Sequence, residues 1–221
     1  MNSPTKINIS EFIGRKHFQL FSRYTDPTYG ITSLVDVTAF FHYAKSQGYP
    51  IYLSLIYLIT KALNQIKEFR YRYDGESILL FDKIDPAFTI MTDIGLYDNC
   101  DIVNIRSDFF TFLADAKIAI DEIKKGDALA NMQIDERFDQ FYFSSTPWME
   151  FTGLTHPMDN NLLAYIPRIT WDKFHITTEK ITMHININVH HGLISGKPLA
   201  DGFNKIQEYL FNPEKVFSLE K

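Results

Sequence analysis

Two adjacent histidines stand inside residues 181–210, where an alternating strand pattern gives way to two glycines and then to a helical pattern. Successive side chains of a strand point to opposite faces of its sheet. His191 therefore continues the apolar row that contains Ile187 and Val189, and it comes directly before Gly192. An imidazole titrates near neutral pH, which suits a general base. The position of His191, at the edge of a buried surface and beside a turn, is where such a base would be placed.

The other face of the same strand is predicted to be polar. His184, Asn186, Asn188 and His190 share it, and we expect this row to meet water or a polar partner. His190 and His191 thus point in opposite directions and cannot bind one metal ion unless the strand is distorted. The sequence has no cysteine cluster or carboxylate-rich loop that would add ligands, so no metal site is predicted. A strand-end histidine with a structural role is the alternative to a general base.

Composition limits the classes of protein to which this chain can belong. With 221 residues, 45% hydrophobic and 22% charged, it suits one globular domain over residues 1–221 with a sizeable core. The net charge of −5 gives no indication of nucleic-acid or membrane binding. Cys100 is the single cysteine, which excludes an intramolecular disulfide, and no signal segment is recognised. A cytoplasmic location is therefore expected.

The periodicity of apolar residues predicts the elements that must position the histidines. Because helical and strand patterns are segregated rather than strictly alternating, they predict one mixed α/β (α+β) domain. Helices are predicted at 10–21, 38–46, 51–69, 108–125 and 199–211, and the longer strands at 31–37, 88–91, 138–145, 149–154, 162–171 and 181–191. Ser10 is expected to cap the first helix.

The histidine pair belongs to a longer set of motifs. A strand is followed by HH, three residues, Ser195, Gly196 and a helix. This order resembles the HHxxxDG signature of the chloramphenicol acetyltransferase family. Further segments resemble the same family in the same order, namely Arg15-Lys16-His17-Phe18, IYLITKALNQIKEFR (56–70), DKIDPAFTI (82–90), SSTPW (144–148) and PRIT (167–170). Together they cover most of the chain.

The resemblance implies a fold and a reaction. The implied fold is a two-layer sandwich of helices on a mixed, largely antiparallel sheet, the CoA-dependent acyltransferase fold. Three subunits would associate, with active sites in the clefts between them. His191 would take a proton from a hydroxyl of the acceptor, whose oxygen attacks the thioester of acetyl-CoA directly. Ser144 would donate a hydrogen bond to the developing oxyanion, an interaction worth about 10²–10³ in rate.

The resemblance also assigns five further positions, each with an ordinary alternative. Thr170 matches a threonine that holds the intermediate through water, although a plain strand threonine is equally expected. Lys173 and Phe174 match residues beside CoA, where a solvated lysine is the alternative. Phe21 and Leu154 match walls of the acceptor pocket, and core packing would explain either of them as well.

The sequence departs from the family pattern in two places that bear on the site. Ser195 replaces the aspartate of HHxxxDG, and Gly14 replaces the arginine with which that aspartate pairs, although Arg15 is the next residue. Loss of both partners leaves no uncompensated buried charge. The basic residue that contacts CoA ahead of the central helix has no clear counterpart near Pro50, and no acceptor-pocket residues can be assigned within 93–104.

Three functions compete on these observations. The first is an acetyl-CoA-dependent O-acetyltransferase that acts on chloramphenicol or a similar small alcohol, with antibiotic resistance as the implied role. The second is a catalytically impaired relative that serves as a binding or structural module, which the lost aspartate and arginine favour. The third, the acyltransferase core of a 2-oxo acid dehydrogenase complex, would require a lipoyl domain, which we do not expect here.

Overall fold

The computed structural model describes residues 3–101, 105, 108–125, 137–158 and 161–218. Its strands are β1 (Thr5–Ile7), β2 (Thr28–Asp36), β3 (Tyr71–Tyr73), β4 (Ile78–Leu80), β5 (Asp85–Met91), β6 (Tyr97–Asp101), β7 (Gln140–Thr146), β8 (Arg168–Asp172), β9 (His175–Ile176) and β10 (Ile181–His190). Its helices are α1 (Arg15–Phe21), α2 (Thr38–Gln47), α3 (Ile51–Leu63), α4 (Phe109–Lys125), α5 (Gly196–Phe211) and α6 (Glu214–Phe217). Short 3-10 helices span Lys67–Arg70 and Leu162–Tyr165.

A seven-stranded mixed sheet forms one layer of the fold. Its strands lie in the order β2-β10-β8-β7-β5-β6, and β9 pairs with the beginning of β10. β7 runs parallel to both of its neighbours, whereas the other pairs are antiparallel. A small antiparallel sheet in the order β1-β4-β3 lies beside it. The prediction of a mixed, largely antiparallel sheet is confirmed.

The helices form the second layer, as predicted. The apolar face of α3 continues nearly all round the helix, and ten of its thirteen residues are buried. α3 packs against α5 and α2, and α5 in turn contacts β2. The close approach of α5 depends on Gly202, where a Cβ atom would lie 2.8 Å from the ring of Phe69 and 3.1 Å from Leu63. This packing holds the helical layer on the apolar face of the sheet.

One predicted strand is wrong, and several other elements have different bounds. Residues 149–154 form no strand, because after Pro147 the chain leaves the sheet and the amide of Phe151 donates to the Asp172 carboxylate instead of to a ladder. The 162–171 segment divides into a 3-10 helix and β8. The predicted helix 51–69 ends at Leu63, since the Asn64 side chain bonds Thr60 O and both backbone groups of Ile84.

The N-terminal helix also differs from its prediction. Ser10 does not cap it, because both its amide and its hydroxyl donate to Asn8 Oδ1 in a turn. The helix begins at Arg15, and its N-cap residue Gly14 makes no side-chain capping bond. β6 and β9 had no counterpart among the predicted strands. Positions 102–104 of the unassigned 93–104 segment lie outside the described residues.

Arg72 joins the two sheets from a fully buried position. Its guanidinium donates to the carbonyls of Phe69 and Tyr71 on its own side, and to those of Phe138 and Gln140 at the beginning of β7. The four distances are 2.7–2.8 Å. Burial lowers the pKa of Arg72 to about 9, so the side chain is still protonated at neutral pH. A single cation therefore satisfies four backbone acceptors between the sheets.

In the part of the chain that the structure describes, no helix has both the length and the apolar character that a membrane crossing requires.

Candidate functional site

His191 lies at the first turn position after β10, with its ring held by two aromatic side chains. The ring stacks on Phe21 at a centroid distance of 4.0 Å and an interplanar angle of 7°. Tyr29 contacts it at 4.4 Å and 33°. The backbone amide of His191 donates to Pro27 O at 2.9 Å. Because the side chain is half-buried, the imidazole is oriented without being enclosed in the core.

Three elements bring these rings together. α1 ends at Phe21, and β2 places Tyr29 opposite Val189 in the register with β10. Gly192 allows the turn to lie against α1, because a Cβ atom there would be 2.9 Å from His190 Cε1 and 3.1 Å from Phe18 Cα. The sequence pattern of strand, histidine pair and glycine thus has a steric reason as well as a chemical one.

His190 is buried and neutral, contrary to the prediction that its row would meet water. Its ring stacks on Tyr165 at 4.2 Å, and its Nδ1 accepts the Gly192 amide at 3.0 Å, which assigns the proton to Nε2. Burial, and secondarily the charge of His191, lower the pKa of His190 to about 4. Asn186 and Asn188 of the same row are also buried. The polar face is therefore covered within the chain itself.

Two segments provide that cover. Tyr165, in the second 3-10 helix, lies over His190. The stretch after Pro147 crosses the same face of the sheet, where His156 approaches Asn186 and Arg168 closely enough for burial and the charge of Arg168 to lower its pKa. Alternation along β10 predicted which residues share a face, but not that the chain would return over it.

The buried His190 predicts a pH dependence of stability. Its pKa rises from about 4 in the folded chain to about 6.5 on unfolding, so the unfolded chain binds one more proton between these values. The free energy of unfolding is therefore expected to fall as the pH drops from 6.5 towards 4, by up to about 1.4 kcal/mol per pH unit. His190→Asn keeps an acceptor for Gly192 and cannot titrate. Urea unfolding at several pH values should give a flatter profile for this variant, and equal slopes would contradict the assignment.

Ser144 and Thr170 lie side by side on the polar face of the large sheet. Thr170 of β8 is paired in register with Ser144 of β7 and with Asn186 of β10. Ser144 Oγ lies 3.3 Å from Thr89 Oγ1, and its side chain is half-buried. Thr170 Oγ1 is buried and has no hydrogen-bond partner within the described residues. The structure thus brings two of the three predicted catalytic residues together.

His191 of the same chain is remote from this pair. It lies five residues beyond Asn186, which corresponds to roughly 16 Å along β10, and β7 lies two strands across, which adds roughly 10 Å in the perpendicular direction. One chain therefore presents the His191 imidazole at one end of β10 and the hydroxyls of Ser144 and Thr170 near the middle of the sheet. A site that uses both sets of residues needs two copies of the chain.

The remaining predicted positions lie near the end of β8 or in the stretch that follows Pro147. Lys173 is exposed, and its amide donates to Met149 O. Phe174 is half-buried and packs edge-on against Phe41 of α2 at 5.4 Å, which is a core contact. Leu154 is half-buried in the coil segment. Phe21, by contrast, contacts the proposed base directly.

Asp172 stabilises this end of β8 through a buried carboxylate. Its Oδ1 accepts the amide of His184 at 2.7 Å, and its Oδ2 lies 2.8 Å from His184 Nδ1. The amide of Phe151 donates to the same carboxylate. The Asp172–His184 pair thus joins β8, β10 and the chain after Pro147, beside Lys173. Neither residue was among the predicted site residues.

A cavity of about 160 Å³ lies beside His191, and Gly14 and Ser195 are both among the residues that line it. Phe12, His17 and Glu68 also line it. Ser195 is exposed, and a Cβ atom on Gly14 would lie 2.7 Å from the Phe12 ring. The predicted loss of the aspartate–arginine pair therefore coincides with a cavity, and Phe12 occupies space that a longer side chain at position 14 would need.

Two residues that contact the predicted catalytic groups were not found from the sequence. Tyr29 lay outside the predicted strands, since the nearest one was predicted at 31–37, and Thr89 lay in a predicted strand with no assigned role. Both follow from register, because Tyr29 is paired with Val189, two residues before His191, and Thr89 lies beside Ser144. Periodicity assigns a residue to a face but does not identify its neighbour on the next strand. In the described residues, no group of three histidine, cysteine or acidic side chains could hold a metal ion.

Comparison with known protein families shows to which family the chain belongs. The family model described as "Chloramphenicol acetyltransferase" matches residues 1–207. The chain belongs to the chloramphenicol acetyltransferase family. It is accordingly an acyltransferase of the chloramphenicol acetyltransferase type, and the resemblance carried by its motifs is confirmed.

Curated relatives in this family match the chain over nearly its whole length. The chloramphenicol acetyltransferase of Proteus mirabilis is 26% identical over 210 residues, which cover 92% of this chain and 93% of that protein. The Clostridium perfringens protein of the same name is 27% identical and covers 94% of this chain and 95% of its own length. Chloramphenicol acetyltransferase 3 of Escherichia coli is 23% identical, with 92% and 95% covered.

Solved structures agree with the fold that the family implies. A chloramphenicol acetyltransferase superposes with a TM-score of 0.80 at 28% identity, covering 93% of this chain and all of that one. The dihydrolipoamide acetyltransferase of Azotobacter vinelandii gives a TM-score of 0.68 at 15% identity, covering 92% and 89%, and it supports the fold alone. The CoA-dependent acyltransferase fold is therefore confirmed.

Proposed function

We propose that this protein transfers the acetyl group of acetyl-CoA to a hydroxyl of chloramphenicol or of a similar small alcohol, with His191 as the general base. The observation that carries the proposal is the position of the His191 ring. It stacks on Phe21 and contacts Tyr29 at an accessible strand end, beside a buried and neutral His190. An oriented imidazole with one accessible edge is what proton removal from an alcohol requires.

His191 would accept the proton of the acceptor hydroxyl as its oxygen attacks the thioester carbon. An alcohol is too weak an acid to attack a thioester unaided at neutral pH, so the base must act during bond formation. Ser144 would donate to the oxygen on which negative charge develops, with Thr170 beside it. The imidazolium would then return its proton to the departing thiolate of CoA, so that atoms and charges balance.

Acetyl-CoA fits the donors that lie around Ser144. Thr170 Oγ1 and Thr146 Oγ1 are buried and have no hydrogen-bond partner within the described residues, so both can donate to a ligand or to a bound water. Exposed Lys173 can contact a phosphate of CoA. Phe174 packs on Phe41, so it shapes the wall of this region and is not proposed as a direct ligand of CoA.

The separation of His191 from Ser144 supports a homotrimer with active sites between subunits. Within one chain these residues lie too far apart to act on one substrate, as the spacing along β10 shows. If His191 of one subunit faces Ser144 and Thr170 of its neighbour, each site receives both sets of groups. Phe21 would then line the acceptor pocket from the side of the base, and Leu154 from the opposite subunit.

A thiol-release assay tests the proposed reaction. Purified protein is incubated with acetyl-CoA and with chloramphenicol or a panel of small primary and secondary alcohols, and free CoA is followed with a thiol reagent. We expect acceptor-dependent release of CoA, and mass spectrometry should detect the acetylated alcohol. If no acceptor raises CoA release above the rate without acceptor, the proposed function is wrong. Equilibrium sedimentation of the same sample checks the trimer.

The second function remains a binding module built on the same fold. The cavity at Gly14 and Ser195 favours it, because the ion pair of the family is absent there. A module of this kind would bind acetyl-CoA or an alcohol in calorimetry without releasing CoA. A cytoplasmic location and a role in antibiotic resistance are parts of the proposal that follow from the first function.

A further inference from the structure

The turn that carries His191 lacks the charged pair that the family pattern leads one to expect. Ser195 is exposed, and Gly14 has no side chain with which to meet it. The turn is nevertheless ordered by backbone bonds, since the amides of Leu193 and Ile194 both donate to His190 O at 3.1 and 3.0 Å. These bonds fix the first residues of the turn, and the His191 amide joins its beginning to Pro27 O, just before β2. None of these backbone bonds orients the His191 ring.

Tyr29 makes two contacts with this turn. Its ring meets His191 at 4.4 Å, and its hydroxyl donates to Ile194 O at 3.3 Å, next to Ser195. The side chain is half-buried, and burial raises the pKa of Tyr29, which keeps the phenol protonated and able to donate. His190 also bonds the backbone of this turn, because its Nδ1 accepts the Gly192 amide.

We propose that Tyr29 is the positioning residue for His191. Its ring and Phe21 contact the imidazole, and its hydroxyl holds the turn at Ile194, where this chain has no ion pair. Tyr29 itself would touch neither the substrate nor the reacting atoms. The inference rests on the proposed function, because a base needs positioning only where it acts, yet its structural part can be measured without any substrate.

Geometry explains why one tyrosine can serve in place of two charged residues. β2 pairs with β10 over nine consecutive residue pairs, and this pairing fixes the position of the Tyr29 backbone relative to the end of β10. A neutral hydroxyl that bonds a carbonyl needs no compensating charge, whereas a single remaining aspartate or arginine would. The turn can therefore be held at Ile194 without an aspartate–arginine pair in the cavity beside Gly14.

The test compares Tyr29→Phe, Tyr29→Leu and the control Tyr43→Phe, a half-buried tyrosine of α2. Loss of the hydroxyl in Tyr29→Phe is expected to lower kcat about fivefold, the equivalent of one hydrogen bond, with KM for both substrates within about twofold. Tyr29→Leu also removes the aromatic contact, and misplacement of the base is expected to lower kcat about 100-fold. Tyr43→Phe should keep the wild-type kcat.

Hydrogen exchange gives a readout that does not depend on activity. In Tyr29→Phe the amides of Leu193, Ile194 and Ser195 should exchange faster than in wild type and in Tyr43→Phe, while the amides of β10 exchange at unchanged rates. The NMR signals of the His191 ring should also move, since they report the ring currents of Phe21 and Tyr29. If the wild-type protein is inactive, the proposed function is wrong. Hydrogen exchange and the NMR signals of the His191 ring would still show whether Tyr29 holds the turn.

Several outcomes would overturn the inference. Unchanged exchange at Leu193–Ser195 in Tyr29→Phe would show that the hydroxyl does not hold the turn. An unchanged kcat in both Tyr29 variants, on an active wild type, would show that His191 needs no such positioning. A parallel rise in KM with a general loss of stability would assign Tyr29 to ordinary packing. The positioning role of Tyr29 would be supported by a lower kcat at an unchanged KM, together with faster amide exchange that is confined to the turn.

Discussion

Replacing His191 with glutamine is expected to lower the rate of acetyl transfer by about 10²–10⁴, the usual contribution of a general base. Glutamine keeps a polar side chain of similar length between Phe21 and Tyr29, but its amide cannot accept a proton at neutral pH. The loss should appear in kcat and in kcat/KM equally, because the proton moves only as the alcohol attacks. Steady-state CoA release with the best acceptor of the panel measures both constants.

A control separates chemistry from folding in this experiment. His42→Gln changes an exposed histidine on α2 and should leave both kcat and the melting temperature unaltered. His191→Gln should also retain the secondary structure of wild type by circular dichroism. A rate for His191→Gln within a few-fold of wild type would remove His191 from the mechanism and favour the binding module, even if the wild-type protein acetylates alcohols.

Arg72→Met is expected to cost about 3–5 kcal/mol of the free energy of unfolding, because three buried carbonyls and one part-buried carbonyl lose their donor at once. The methionine fills part of the volume but leaves Phe69, Tyr71, Phe138 and Gln140 with unsatisfied oxygens between the two sheets. An effect of this size is a large fraction of the stability of an ordinary domain. Urea unfolding followed by tryptophan fluorescence measures it.

Arg23→Met provides the matched control for the same measurement. Arg23 is exposed after α1, and its substitution should change the free energy of unfolding by no more than about 0.5 kcal/mol. Arg72→Lys keeps the charge but has fewer donors in a different geometry, so it should fall between methionine and wild type. A loss below about 1 kcal/mol in Arg72→Met would mean that the carbonyls find other donors.

The sequence alone predicted those helices and strands in which the periodicity of apolar residues matches the burial seen in the structure. The alternation of β10 and the apolar surface of α3 predicted their elements, although α3 ends earlier because Asn64 bonds to Ile84, twenty residues away. The prediction of a strand at 149–154 was wrong for a comparable reason. Its sequence suits a strand, but the Asp172 carboxylate takes the Phe151 amide that a strand would give to a ladder.

In the candidate site, too, the sequence predicted some residues, whereas other contacts are known only from the structure. Motif order marked His191, Ser144 and Phe21, and the structure stacks Phe21 on His191 and sets Ser144 beside Thr170. Whether the base and the hydroxyls meet in one site is a matter of register and assembly, because the residues concerned lie on different strands. Tyr29 was overlooked because a residue that supports another through space has no signature of its own along the chain.

By itself, the sequence determined the fold class, the family and the residue types available for acetyl transfer, since these depend on local periodicity and on short motifs. Only the tertiary structure decided that the polar face of β10 is buried, that His190 is neutral, and that Tyr29 contacts the turn of His191. The physical reason is that burial and pKa depend on which distant segments return over a surface. Those contacts join residues such as Tyr29 and Ile194, which lie 165 positions apart in the chain.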